Sequence, residues 1–147
     1  MTSRDKKDLN EICVAAHEKA CEEYKLLYPN DPQPFIVCTH RTDEEQLLLF
    51  NQPSDGKDNN GNGIIDEKIE KVTQAKPGQS PHNFKPSPAW DIAFITLFQK
   101  LDYNPELFRK YAEIIKRIQP MIEWGGDWKF KDAPHYQLRN WRNFVKP

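Results

Sequence analysis

Apolar residues recur at three- and four-residue steps through the first segment: Leu9, Ile12, Cys13, Ala16, Ala20, Tyr24 and Leu27, with charged residues on the other faces. That period predicts an amphipathic helix over about residues 5–28, ending before the turn-rich Tyr28-Pro29-Asn30-Asp31-Pro32. Phe35-Ile36-Val37-Cys38-Thr39 is instead a short continuous run rich in β-branched residues, which predicts a buried strand. Thr42-Asp43-Glu44-Glu45 has the form of a capping box, so a helix is expected through Gln46-Leu47-Leu48-Leu49-Phe50, stopping near Pro53. Residues 53–88 carry no period and are rich in Gly, Asn, Asp and Pro. Ala89-Trp90-Asp91-Ile92-Ala93-Phe94 then reads as a strand. Asn104 and Pro105 suit the cap and first turn of a second long helix, whose apolar face is Leu107, Phe108, Tyr111, Ile114, Ile115 and Ile118. Pro120 or the Gly125-Gly126 pair ends or kinks it, and His135-Tyr136-Gln137-Leu138 reads as a last strand. Helices stand apart from short strands rather than alternating with them, so the expected class is α+β.

Composition narrows the picture. The 147 residues suit one domain spanning 1–147, and 12% aromatic with 29% charged residues is globular rather than disordered. Lys plus Arg (21) balances Asp plus Glu (22), which argues against a nucleic-acid binder. No run of about 18 apolar residues occurs, so no membrane span is expected. The start, MTSRDKKDLNEI, has no apolar stretch after its charges, so no secretory signal peptide is expected. Cys13, Cys21 and Cys38 are too few and scattered for a disulfide framework and read as small buried hydrophobes of a reducing compartment. A long irregular stretch inside such a domain is usually functional or disordered. Residues 53–88 hold the most informative side chains, so the functional reading is taken.

Two segments bring histidine next to carboxylate. One runs from Gln79-Ser80-Pro81-His82 to Asp91, and the other from Gly126-Asp127-Trp128 to Asp132-Ala133-Pro134-His135. A catalytic zinc takes three protein ligands of nitrogen or oxygen type and keeps a fourth position open. His82, Asp91 and His135 would supply that set, with Asp132 three residues before the last histidine close by but not ligating.

At these residues the chain resembles the zinc D-alanyl-D-alanine carboxypeptidase and L-alanyl-D-glutamate endopeptidase family, which includes VanX and VanY enzymes and many phage endolysins. The family pattern is S-x-H-x-x-G-x-A-x-D with a later [DE]-x-x-H. Ser80, His82, Ala89 and Asp91 match its first part, and Asp132 with His135 its second. Glu123-Trp124-Gly125-Gly126-Asp127-Trp128, running on to Asp132-Ala133-Pro134-His135-Tyr136-Gln137-Leu138, is similar to the endopeptidase branch. Arg41-Thr42 with Glu45-Gln46 resembles R-[ST]-x-x-E-Q, whose arginine contacts substrate and the developing oxyanion. His82 and Asp91 are nine apart where the family has seven, and Phe84-Lys85-Pro86-Ser87-Pro88 replaces its glycine. Such an insertion is expected to bulge without moving either ligand, because loop closure entropy grows slowly with length.

The resemblance implies a small antiparallel sheet with flanking helices and a zinc site on the sheet, a fold shared with the Hedgehog signalling domain. It implies zinc held by His82, Asp91 and His135, Asp132 as general base and Arg41 at the oxyanion. Ser80, Trp128 and Tyr136 are the expected substrate-binding residues. The implied partner is the peptidoglycan stem peptide, cut by a monomer. An endolysin-type member would be made in the host cytoplasm and act on the wall after release. D-alanyl-D-alanine carboxypeptidase activity is the alternative, as is a non-catalytic metal- or wall-binding module; the latter should lack Asp132 or Arg41, and both are here.

Asp58-Asn59-Asn60-Gly61-Asn62-Gly63-Ile64-Ile65-Asp66 also fits the first nine positions of an EF-hand-type loop. Asp58, Asn60, Asn62, the Ile64 carbonyl and Asp66 would offer oxygens to calcium, within an insertion at about 55–70. Position twelve is Ile69 rather than the bidentate glutamate.

Overall fold

A central strand, β2 (Ala89–Ile95), organises the computed structural model, which describes residues 2–52, 56, 73 and 75–146. On one side it pairs with β1 (Gln33–Cys38), and on the other with β5 (His135–Leu138), which in turn pairs with β4 (Ile122–Trp124). The two-residue β3 (Leu101–Asp102) pairs with the far end of β2, and every pairing is antiparallel. Successive side chains of a strand point to opposite faces. Trp90, Ile92 and Phe94 therefore share one face, where they are fully buried against the helices, while Asp91 faces the other way.

The helices are α1 (Glu11–Leu27), α2 (Asp43–Phe50) and α3 (Pro105–Ile118). α1 and α3 pack together over the sheet through Cys13, Ala16, Ala20 and Tyr24 from one and Leu107, Phe108, Tyr111 and Ile115 from the other. The first helix starts later than its period suggests. Asp5 caps a separate 3₁₀ turn at Lys6–Asp8, and Asn10 caps α1 by accepting from the Ile12 N–H. Leu9, between them, is buried but forms a bridge with Ser87 rather than a helical turn. Thr42 and Asn104 cap α2 and α3 as their sequences predict. No described helix is long and apolar enough to cross a membrane.

His17 sits on the buried face of α1, which apolar periodicity does not mark. Its Nδ1 lies 2.6 Å from the Tyr111 hydroxyl, which also accepts from Trp90 Nε1 at 3.3 Å. The Tyr111 hydroxyl hydrogen remains free to donate to His17, and burial depresses the pKa of His17 to about 4. The sign follows from linkage: between pH 6.5 and about 4 the unfolded chain binds a proton at this residue that the folded chain refuses. Its contribution is complete above that window and lost below it, about 3 kcal/mol in all. The expected outcome is that wild type loses stability relative to His17→Gln by up to about 1.4 kcal/mol per pH unit from pH ~6.5 to ~4.5. Urea unfolding of both proteins across that range checks it, and a pH-independent difference contradicts it.

Candidate metal centre

Three elements deliver the site. The antiparallel register sets Asp91 of β2 directly opposite His135 of β5, both on the face away from the helices. His82 arrives from a 3₁₀ turn, Pro81–Asn83, capped by Ser80, whose Oγ accepts from the His82 N–H at 3.2 Å. Arg41 N–H donates to His82 O at 2.7 Å, and Asn83 Nδ2 donates to Arg41 O at 3.1 Å, so the turn is stitched to the segment after β1. The residues between His82 and Asp91 swing away from the site. Lys85 pairs with Asp8 at 3.2 Å, and the Ser87 backbone bonds Asp8 and Asn10.

His82 Nε2, Asp91 Oδ1 and His135 Nδ1 converge, with mutual separations of 3.2, 3.2 and 3.0 Å. The other ring nitrogens are engaged: His82 Nδ1 faces Thr39 O at 2.8 Å and His135 Nε2 faces Gln137 Oε1 at 2.7 Å. Both partners are acceptors, so both outer nitrogens donate, and neutral rings turn lone pairs inward. Two lone pairs and a carboxylate facing one another in a buried site require a cation between them. A proton can serve: burial opposes charging His82, but the Asp91 carboxylate outweighs it and raises its pKa to about 10. Zinc fits as well, because tetrahedral bonds of about 2.0–2.1 Å set ligand atoms roughly 3.3–3.4 Å apart. The donor set therefore suits zinc. Cys38 also lies in range of His82 and Asp91, within 4.8 Å. Its Sγ, however, is 3.6 Å from His82 Nδ1, the nitrogen turned away from the other ligands.

These groups open into a cleft of about 640 Å³ lined by Arg41, Ser80, Trp128, Asp132, Gln137 and Trp141, among others. The Asp132 carboxyl is held above the usual range by burial and by Asp91, against the lowering influence of His135, His82 and Arg41. Its loop is pinned from β4 and the turn that follows. Asp132 N–H donates to Gly125 O at 2.9 Å, and Trp124 Nε1 donates to Ala133 O at 2.7 Å. A Cβ at Gly125 would overlap the Asp132 carbonyl and come within 3.0 Å of its Cβ, so only glycine permits this approach. Arg41 Nη2 stands 3.8 Å from Asp91 Oδ2, while its Nη1 donates to Gln46 Oε1 at 3.1 Å. Gln46 is fully buried and tied to Ala75 O at 2.7 Å.

Trp128 lies beside His135, ring centroids 5.2 Å apart. Tyr136 does not reach the cleft and is corrected to a core residue. Strand alternation turns it to the helix face, where it is fully buried, packs on Trp90 and donates to Phe108 O at 3.2 Å. Ser80 holds the His82 turn by its cap as well as lining the cleft. Gln137 and Glu123 escaped the sequence reading as site residues, although a position two past His135 in a strand shares its face. The loop residues Asp58, Asn60, Asn62, Ile64 and Asp66 lie outside the described residues.

Residues 73–138, which hold His82, Asp91 and His135, match a family model described as D-alanyl-D-alanine carboxypeptidase. Among solved structures, the Serratia marcescens L-Ala D-Glu endopeptidase ChiX is similar at 19% identity and a TM-score of 0.66, over 98% of this chain and 92% of that one. A mutant of the vancomycin-resistance D,D-pentapeptidase VanY from a VanB-type cassette, in complex with Zn(II), is similar at 15% identity and a TM-score of 0.63. That match covers 95% of this chain and 77% of the other. No curated protein matches the chain by sequence.

Elemental analysis of purified protein should find about one zinc per chain, lost in His135→Ala and retained in Cys38→Ser. Loss of zinc in Cys38→Ser would move the thiol into the ligand set.

Proposed function

We propose that the chain, whose residues 73–138 match the D-alanyl-D-alanine carboxypeptidase family model, is a zinc peptidase of peptidoglycan, and specifically an L-alanyl-D-glutamate endopeptidase that cuts the stem peptide. The carrying observation is the convergence of His82, Asp91 and His135 at the floor of a cleft that also presents Asp132 and Arg41. Support for the endopeptidase branch comes from the segment Glu123-Trp124-Gly125, with which this chain clamps the Asp132 loop. The same sequence string resembles that branch. ChiX, which carries that activity, aligns over nearly the whole of both chains.

His82, Asp91 and His135 would hold zinc, which when bound would supply a Lewis acid that makes water more acidic. Asp132 takes the proton of the attacking water and returns it to the departing amine as the C–N bond breaks. Its raised pKa suits both halves of that transfer. Arg41, steadied by Gln46, presents its guanidinium to the oxygen that gains charge in the tetrahedral transition state. Trp128 and Trp141 provide apolar walls that orient the peptide.

Removing D-alanine from the stem is the second reading, favoured by the description of the matching family. Mass spectrometry of defined muropeptides after incubation with zinc-loaded protein separates the two. The expected product is a stem cut after L-alanine, and loss of a terminal D-alanine alone would establish the second. Asp132→Ala should keep its zinc while turnover falls by about 10²–10⁴. Arg41→Ala should lower turnover by about 10²–10³. Near-normal turnover in Asp132→Ala would remove it as the base.

A further inference from the structure

The orientation of His135 traces back to a carboxylate outside the ligand set. Glu123 of β4 and Gln137 of β5 are register partners, and Gln137 Nε2 lies 2.5 Å from Glu123 Oε1. An ionised carboxylate only accepts hydrogen bonds. Gln137 must therefore turn its NH₂ toward Glu123 and its Oε1 toward the ring of His135. The ring nitrogen at that oxygen, Nε2, must in turn carry a hydrogen, across 2.7 Å. The lone pair is then left on Nδ1, the atom that meets His82 and Asp91.

We propose that Glu123 is a positioning residue that, acting through the Gln137 amide, selects the His135 tautomer competent to bind the metal. This inference rests on the zinc reading above and goes beyond it. Each step is dictated by which group can donate. The two ends of an amide force opposite roles on its neighbours, and burial of Gln137 and His135 limits replacement of either bond by water. Tautomer control of a histidine ligand by an acceptor on its far nitrogen is a general device of metal sites. Here the acceptor is itself an ambiguous group, so its direction has to be set by a third residue.

Two single variants and their double swap decide the matter. In Glu123→Gln the new amide can donate to Gln137 Oε1, which lets the Gln137 NH₂ face His135. In Gln137→Glu two carboxylates meet. In the double variant, Glu123→Gln with Gln137→Glu, the carboxylate at 137 accepts from His135 Nε2 in place of the Gln137 amide oxygen, while the amide at 123 donates to that carboxylate. Zinc affinity, measured by chelator competition on the full chain, is expected to fall about 10–100-fold in each single variant. The double swap should recover to within about threefold of wild type. Nitrogen-15 NMR of the His135 ring after chelation should show Nε2–H in wild type and double variant, and loss of that pure state in Glu123→Gln. Thermal melting of the chelated proteins identifies any variant that fails to fold, and the remaining ones then carry the comparison. Wild-type affinity with an unchanged tautomer in Glu123→Gln overturns the proposal, as does a folded double variant no better than the singles. Wild type that binds no zinc but shows the same tautomer pattern would refute the metal reading and uphold the relay.

Discussion

Three hydrogen-bond acceptors are held face to face on this sheet, and the rest of the site follows from that arrangement. His82 Nε2, Asp91 Oδ1 and His135 Nδ1 sit within 3.2 Å of one another, each ring fixed from behind by an acceptor that takes its only hydrogen. Without a cation, the arrangement sets negative charge against two lone pairs in a buried place. Protonation of a ring relieves this, and so would a divalent ion held by the three groups. The fold supplies the rigidity needed to hold such a cluster. Asp91 and His135 are set by strand register, and their strands are anchored on the opposite face by Trp90 and Tyr136 in the aromatic core.

The division of labour between the two faces of the sheet is the same at each strand. On β2 and β5 the even-numbered residues Trp90, Ile92, Tyr136 and Leu138 build the core, and the odd-numbered residues Asp91, His135 and Gln137 build the site. The chain thus needs no special backbone to present a ligand next to a core residue. A special backbone requirement appears instead where Asp132 is placed. Gly125 accepts from the Asp132 amide at a distance that excludes any Cβ, so the loop that carries Asp132 is locked to the end of β4. β4 and the turn after it contribute at three successive residues: Glu123 orients Gln137, Trp124 ties Ala133, and Gly125 admits Asp132.

Much of this was legible in the sequence where one residue type meets one local rule. Thr42 and Asn104 announced their helices, and the β-branched run at Phe35–Thr39 announced a strand, because caps and short apolar runs depend on neighbours alone. The histidine and aspartate set was read from its resemblance to a family. The structure shows why spacing survives an insertion: the extra residues are drawn off toward Asp8 and Asn10. What stayed hidden depends on partners distant in sequence. β4 is three residues long, too short for a period, and exists because β5 lies beside it. His17 looks like a break in an apolar face until Tyr111 comes to meet it from α3. Tyr136, a substrate-binding residue in the reading by resemblance, belongs to the core because adjacent residues in a strand face opposite ways.

The central claim is that the metal is held by two imidazoles and a carboxylate, with the nearby Cys38 thiol left out. X-ray absorption at the zinc edge on the loaded protein reads this directly, since sulfur and light-atom neighbours differ in both distance and scattering. The account predicts a shell of nitrogen and oxygen atoms at about 2.0–2.2 Å and imidazole features from two rings. A sulfur neighbour at about 2.3 Å would contradict it and place Cys38, which lies within reach of His82 and Asp91, in the ligand set.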